Sequence, residues 1–177
     1  MSAVPKPLPL LLPIRKYGDP VLVRPAKPVG EITEDLRRLI PVMFRTMYAE
    51  PGIGLAAPQV GVSLRLMVVD VAPEGQSRPM VLINPRIEQK KGRIRSEEGC
   101  LSFPGIQITV PRAAWVRVAA VDERGAPVAV EAEGLLSRCL QHEMDHLDGI
   151  VMIDHLPLPK RLKVLWEIRK RKKAGLW

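Results

Sequence analysis

The chain has 177 residues, 46% of them hydrophobic, which is enough to build the core of one domain. Its two cysteines are too few for a small disulfide-stabilised secreted scaffold, and no apolar run is long enough to cross a membrane. We therefore predict a single domain over residues 1–177 that works in the cytoplasm. The formal net charge is +8, and residues 160–177 carry most of it.

The N-terminal third predicts a leader and then a helix. Prolines interrupt the apolar run within residues 1–13, so we expect an extended or disordered leader and not a signal peptide. Thr33 is a typical helix N-cap, and apolar residues recur at helical spacing from Leu36 to Met47. Pro41 is expected to bend this helix, and Pro51-Gly52 is expected to end it.

Strand-like runs follow the first helix. Because the predicted strands and helices do not alternate regularly, the pattern favours the α+β class over a doubly wound parallel sheet. Residues 122–126 have the composition of a hairpin turn between the last two strands. A helix is predicted over 134–149, closed by Asp148-Gly149, and a basic helix over 158–177. The predicted strands are 66–71, 80–84, 106–110, 115–121 and 128–131.

The helix predicted over 134–149 carries the sequence His142-Glu143-Met144-Asp145-His146. Two histidines four positions apart lie on one face of a helix, so both imidazoles can bind one metal ion. Glu143 lies at the edge of that face, where a carboxylate can act as a general base. Two surface histidines are the alternative, but apolar residues surround most of this helix and predict that it is buried. The motif therefore favours a metal-dependent hydrolase.

Two ligands do not hold a catalytic metal, and the sequence offers three candidates for the third. His155 follows the helix, but a solvent-facing or capping histidine is the favoured interpretation there. Cys139 lies three positions before His142 on the same helical face. Cys100 lies in a glycine-flanked segment that can bend toward the site, where a metal would deprotonate the thiol. Spacing alone leaves both cysteines open.

Three sequence motifs are informative when they are taken together. They are Gly52-Ile53-Gly54-Leu55-Ala56-Ala57-Pro58-Gln59, Glu98-Gly99-Cys100-Leu101-Ser102 and His142-Glu143-Met144-Asp145-His146. In this order they resemble the motifs of the peptide deformylase family. The resemblance implies removal of the formyl group from the N-terminal formyl-methionine of new polypeptides, with release of formate. It also implies an α+β domain in which short, mostly antiparallel sheets surround a central metal-binding helix.

The resemblance implies one divalent metal ion held by Cys100, His142 and His146. Ligand softness alone favours Zn²⁺ for one thiolate and two imidazoles. The family implies Fe²⁺ instead, with Ni²⁺ or Co²⁺ as workable substitutes, and we favour Fe²⁺. Cys139 would then pack as a small apolar residue.

The resemblance also implies the residues that handle the substrate. Glu143 would transfer the proton, and Gln59 and the backbone N–H of Leu101 would hydrogen-bond the oxyanion that forms when a formamide carbon is attacked. Gly54 would meet the substrate backbone, which a side chain would block. The walls expected for the methionine pocket are Ile53, Leu136 and Cys139.

The segment around Cys100 carries two further expectations. Some family members place an arginine where this chain has Gln107, so we expect the peptide to pair with the strand near 106–109 instead. Glu98 and Arg112 flank the ligand segment, and we hypothesise an ion pair between them that holds Cys100 in place.

The basic residues 160–177 allow two interpretations. A solvated helix end is one, because cations also suit a helix C-terminus. Docking on an anionic surface is the other, and the resemblance favours ribosomal RNA. Sequence-specific reading of RNA is not expected, because stacking aromatics are nearly absent from the tail.

Two other classes of protein compete with the deformylase hypothesis. A zinc endopeptidase that shares only H-E-x-x-H does not explain Gln59 and Cys100 in their motifs. A basic nucleic-acid-binding module with an incidental metal site leaves both upstream motifs without a role. The sequence predicts no oligomeric state.

Overall fold

The structure is a computed structural model that describes residues 9–72 and 75–177. Most of the predicted leader falls on residues 1–8, which lie outside the described part. The end of the leader is anchored, because Leu12 is buried and its N–H donates to Thr46 Oγ1 at 3.0 Å. Among the described residues, no helix is both long enough and apolar enough to span a bilayer.

The α-helices of the described residues are α1 (Glu34–Ala49), α2 (Gly134–Leu147) and α3 (Leu158–Lys173). Thr33 caps α1 as predicted, and its Oγ1 accepts a hydrogen bond from the N–H of Leu36. The helix continues through Pro41, and the bend expected there stays a prediction. Gly149, with φ +73°, follows α2 and takes the left-handed conformation that ends a helix.

The strands form two antiparallel sheets. The larger sheet has the order β1-β2-β3-β6-β7, and the smaller one pairs β4 with β5. This confirms the predicted α+β class. The strands are β1 (Gly54–Ala56), β2 (Leu66–Val69), β3 (Met80–Lys91), β4 (Ile94–Cys100), β5 (Phe103–Arg112), β6 (Trp115–Val121) and β7 (Pro127–Glu133).

Helix α2 is held between the two sheets by different kinds of contact. Its apolar residues, such as Leu140 and Leu147, share one buried cluster with Val116 and Val118 of the larger sheet. Burial of each such side chain contributes about 1.5–3 kcal/mol. The opposite side of α2 carries polar residues that meet the end of β4, as described below. This arrangement brings the H-E-x-x-H motif and Cys100 together.

The smaller sheet has its own support. Phe103 and Val110 of β5 are fully buried in a cluster with Met152 of the 3₁₀ turn Met152–His155 and with Ile168 of α3. Helix α3 therefore packs on the back of the strand that follows Cys100.

Candidate metal and catalytic site

The motif on α2 and the end of β4 meet at one point. Cys100, His142 and His146 offer ligand atoms that all lie within 4.8 Å of one another. Cys100 Sγ is 3.2 Å from His146 Nε2. The pairing of β4 with β5 shifts register between Gly99 and Cys100, and this irregularity turns the thiol toward α2.

The two cysteines have opposite electrostatic settings. Burial raises the pKa of the Cys100 thiol, but the imidazoles of His146 and His142 lower it by a larger amount. The resulting pKa is well below the ordinary value of a thiol. For Cys139, burial and then the nearby Glu143 raise the pKa well above the ordinary value. Cys139 therefore stays a thiol, and its Sγ donates to the carbonyl of Ile53 at 3.5 Å.

The donor set fits a divalent metal ion. A thiolate and two imidazoles are the ligands that Zn²⁺ and Fe²⁺ accept in proteins, and three protein ligands leave a position for water or substrate. His142 Nδ1 lies 3.0 Å from Glu98 Oε2, which leaves Nε2 of that ring free to bind a metal. Glu143 is 4% exposed, and its Oε2 has no hydrogen-bond partner in the described part of the chain. An orphaned carboxylate oxygen there indicates a group that the protein itself does not supply.

Glu98 and Arg112 form the predicted ion pair. Arg112 Nε and Nη2 each donate to one oxygen of Glu98 at 2.9 Å, and both side chains are buried. Burial raises the pKa of Glu98, but hydrogen bonds and charge from His142 and Arg112 lower it to about 2. The carboxylate therefore remains charged and accepts from His142.

Arg112 also reaches back to α2. Its Nη1 donates to Asp145 Oδ2 at 2.6 Å, within the H-E-x-x-H motif itself. His155, which the sequence favoured as solvent-facing or capping, lies with Nε2 2.6 Å from the same oxygen and is only 26% exposed. In the described residues His155 is not part of the ligand cluster, as expected, but it is not simply solvent-facing, because the turn Met152–His155 folds back onto α2.

Gln59 is oriented by its neighbours. Its Oε1 accepts the N–H of Ala56 at 2.9 Å, so its Nε2 points toward Ser102 Oγ (3.3 Å) and Cys100 Sγ (3.6 Å). Leu101 lies in the turn between β4 and β5, and its carbonyl accepts from Lys16 Nζ at 2.9 Å. The amide donor therefore lies beside both Cys100 and the turn that follows it.

A cavity of about 580 Å³ opens beside these residues. Ile53 and Cys139 line it, but Leu136 does not, because it packs against the core of the larger sheet. Leu135 lines the cavity in its place, and so does Arg138, which sequence reasoning missed. Leu135 lies four positions before Cys139 and Arg138 four before His142, but Leu136, three before Cys139, fits helical spacing equally well. Spacing alone therefore does not identify the residues that line the cavity.

Gly54 lies where no side chain fits. A Cβ at this position would lie 2.6 Å from Glu143 Oε1 and 2.7 Å from Cys139 Sγ. β1 can therefore approach α2 closely, and the backbone of Gly54 forms part of the cavity wall.

Comparison with known proteins identifies the family. The family model described as polypeptide deformylase matches residues 11–162. The chain is 49% identical to the peptide deformylase of Acidobacterium capsulatum over 169 residues, covering 95% of this chain and 99% of that protein. It is 51% identical to that of Thermodesulfovibrio yellowstonii over 154 residues, covering 86% of this chain and 93% of that protein. The crystal structure of a peptide deformylase from Legionella pneumophila aligns with a TM-score of 0.87 at 44% identity, covering 93% of this chain and 97% of that chain. The chain belongs to the polypeptide deformylase family.

Proposed function

We propose that this chain removes the formyl group from the N-terminal formyl-methionine of new polypeptides and releases formate, using the residues gathered around Cys100. The observation that carries the proposal is a single cavity whose wall contains Gln59, Cys100, His142 and Glu143. A volume of about 580 Å³ suits a few residues of peptide.

Cys100, His142 and His146 hold one divalent metal ion, for which Fe²⁺ is the favoured identity. When bound, the metal acts as a Lewis acid and lowers the pKa of water at the site. Cys139 is not a ligand, because its thiol is engaged with the carbonyl of Ile53.

The residues of the chain move the proton and bind the developing charge. Glu143 accepts the proton of the attacking water at Oε2 and delivers it to the amine as the C–N bond breaks. The water oxygen joins the formyl carbon, so formate and a free N-terminal amine result. Gln59 Nε2 and the N–H of Leu101 donate to the formyl oxygen, which becomes negative in the transition state.

The residues that line the cavity also favour a peptide that begins with methionine. Ile53, Leu135 and Cys139 form an apolar wall for the methionine side chain, and Gly54 lets the peptide backbone approach. Beyond methionine, the peptide adds as a strand along β5, since Ile106 and Gln107 line the same cavity.

The reaction is tested with formyl-Met-Ala-Ser as substrate. We expect formate and Met-Ala-Ser as products. Formyl-Ala peptides should react more slowly by about one to two decades, because alanine lacks the large side chain whose burial contributes about 1.5–3 kcal/mol. Cleavage of an internal peptide bond without formate would favour an endopeptidase and contradict the proposal.

Helix α3 presents an exposed and strongly basic surface. Its exposed side carries Leu158, Leu162 and Trp166, and eight lysines and arginines lie between 160 and 173 against one glutamate. We propose that this helix docks on ribosomal RNA in the cytoplasm, where formylated chains emerge.

Ribosome docking is tested by co-sedimentation at increasing salt concentration. Binding should fall steeply with salt, and the double variant Arg169→Glu with Lys173→Glu should bind more weakly. A matched control reverses two exposed charges elsewhere, Arg93→Glu with Arg95→Glu. Equal loss in both variants, or binding that ignores salt, would contradict docking through α3.

A further inference from the structure

Five charged or hydrogen-bonding side chains form one continuous chain from the surface to the metal centre. His155 Nε2 lies 2.6 Å from Asp145 Oδ2, and Arg112 Nη1 donates to that same oxygen at 2.6 Å. The other two nitrogens of the guanidinium donate to Glu98 at 2.9 Å. Glu98 Oε2 then accepts from His142 Nδ1 at 3.0 Å. No link in this chain is longer than 3.0 Å.

We propose that His155 is a positioning residue for the metal centre: through Asp145, Arg112 and Glu98, it fixes the orientation of the His142 imidazole. The inference rests on the proposed metal site, in which His142 binds through Nε2.

The chemistry of these five side chains fixes which group donates and which accepts in each hydrogen bond. Arg112 only donates, so Asp145 and Glu98 must both accept from it. Two donors, Arg112 Nη1 and His155 Nε2, converge on one oxygen of Asp145 and lie 3.5 Å from each other. His155 thus restrains the rotation of Asp145, which in turn restrains the guanidinium. The guanidinium holds both oxygens of Glu98, and Glu98 fixes which nitrogen of His142 carries the hydrogen.

The imidazole of His146 has no such series of hydrogen bonds behind it in the described residues. His146 Nδ1 is buried and has no hydrogen-bond partner within the residues that the structure describes. Within the described part of the chain, a polar side chain therefore orients His142 through its Nδ1, and none does so for His146. That orientation depends on a chain whose outer end, His155, lies in the turn that leads into α3.

The experiment compares metal binding by His155→Phe, His155→Gln and a matched control. Phenylalanine fills similar space without a donor, whereas glutamine restores an N–H. The control, Arg161→Ala, breaks the 2.8 Å ion pair with Asp154 in the same segment. It leaves the hydrogen bonds between His155, Asp145, Arg112, Glu98 and His142 intact. Affinity for Co²⁺ is measured by competition with a chelator, and the geometry at the ion by its visible absorption bands.

We expect His155→Phe to lower Co²⁺ affinity several-fold, below the roughly 10–100-fold loss typical when a direct partner of a ligand is removed. Its absorption bands should shift, and His155→Gln should restore both readouts. Wild-type affinity and bands in His155→Phe would overturn the inference, as would an equal loss in Arg161→Ala or a failure of glutamine to rescue. If the wild-type protein binds no Co²⁺ at all, the proposed metal site itself fails, and the inference fails with it.

Discussion

Glu143 is the residue on which turnover should depend most. It is buried on α2, and burial raises its pKa, although the nearby imidazoles of His142 and His146 act against this. Glu143→Gln keeps the shape and removes the ability to carry a proton. We expect turnover to fall by about 10²- to 10⁴-fold with the metal retained. Steady-state kinetics together with metal analysis measure both, and near-wild-type turnover would refute the assignment.

The two cysteines should respond differently to replacement by serine. Cys100→Ser removes a proposed ligand, so the variant should not retain the metal on gel filtration. Cys139→Ser is the matched control, since it changes a buried thiol one helical turn from Glu143 and should leave the metal content intact. Loss of metal from Cys139→Ser with retention in Cys100→Ser would reverse the ligand assignment.

The residues of the site could be predicted from the sequence to the extent that motifs fix them. The spacing of His142 and His146 placed both on one helical face, and the glycines around Cys100 indicated a segment that could turn toward them. Helical spacing does not say which face of α2 meets the cavity. The sequence therefore favours Leu136 as a wall of the methionine pocket, whereas Leu135 lines the cavity in the structure. The roles of His155 and Arg138 depend on contacts between distant segments, which no local pattern records.

At the scale of elements, β4 and β5 are held to α2 by Arg112. Removing the guanidinium in Arg112→Ala leaves Glu98 buried without its partner, which should cost about 3–5 kcal/mol of unfolding free energy. Metal affinity should also fall, by about 10- to 100-fold, because the guanidinium no longer holds the Glu98 carboxylate that orients His142. Arg117→Ala, on the neighbouring β6 and 42% exposed, is the control. Unchanged metal affinity in Arg112→Ala would dismiss the role of the ion pair.

A second anchor between elements depends on pH. Asp70 follows β2; burial raises its pKa, but hydrogen bonds from Ser77, Arg78, Tyr48 and Ala72 lower it from 3.8 to about 2. Its stabilising effect is therefore complete above about pH 4 and is lost as the pH falls toward 2.

Asp70→Asn should test this anchor. At neutral pH the variant should be less stable by about 1.5–3 kcal/mol, the range for hydrogen bonds to a charged group. The difference from wild type should shrink as the pH falls from 4 to 2, as measured by urea unfolding. A difference that stays constant over that range would mean that the charge of Asp70 contributes nothing.

The elements themselves were predictable where their patterns were long. Helices α1 and α2 have clear apolar stripes and caps, and their bounds agree closely with those predicted. Strand β4 was missed because Ile94–Cys100 is mostly charged or polar, and β1 because Gly54–Ala56 is only three residues long. Both are stabilised by pairing with the next strand along the chain, and the periodicity within one strand does not report such pairing.

At the scale of the whole molecule, the fold places a buried helix between two sheets so that the candidate metal ligands from two chain segments meet. The larger sheet supports α2 through apolar packing, and the smaller one brings Cys100 and Glu98 to the polar side of the same helix. Most of the net +8 lies on α3, which packs on the back of β5. The domain division predicted from the sequence, a leader, a catalytic part and a basic helix, stays a prediction.

We attribute the deformylase activity to one metal ion held by Cys100, His142 and His146. The most direct test is to titrate metal-free protein with Fe²⁺ in the absence of oxygen and to follow formate release from formyl-Met-Ala-Ser. We predict that activity rises in proportion to added metal, reaches its plateau at one ion per chain, and decays in air. Full formate release by the metal-free protein, or a plateau that bears no relation to one ion per chain, would contradict the account.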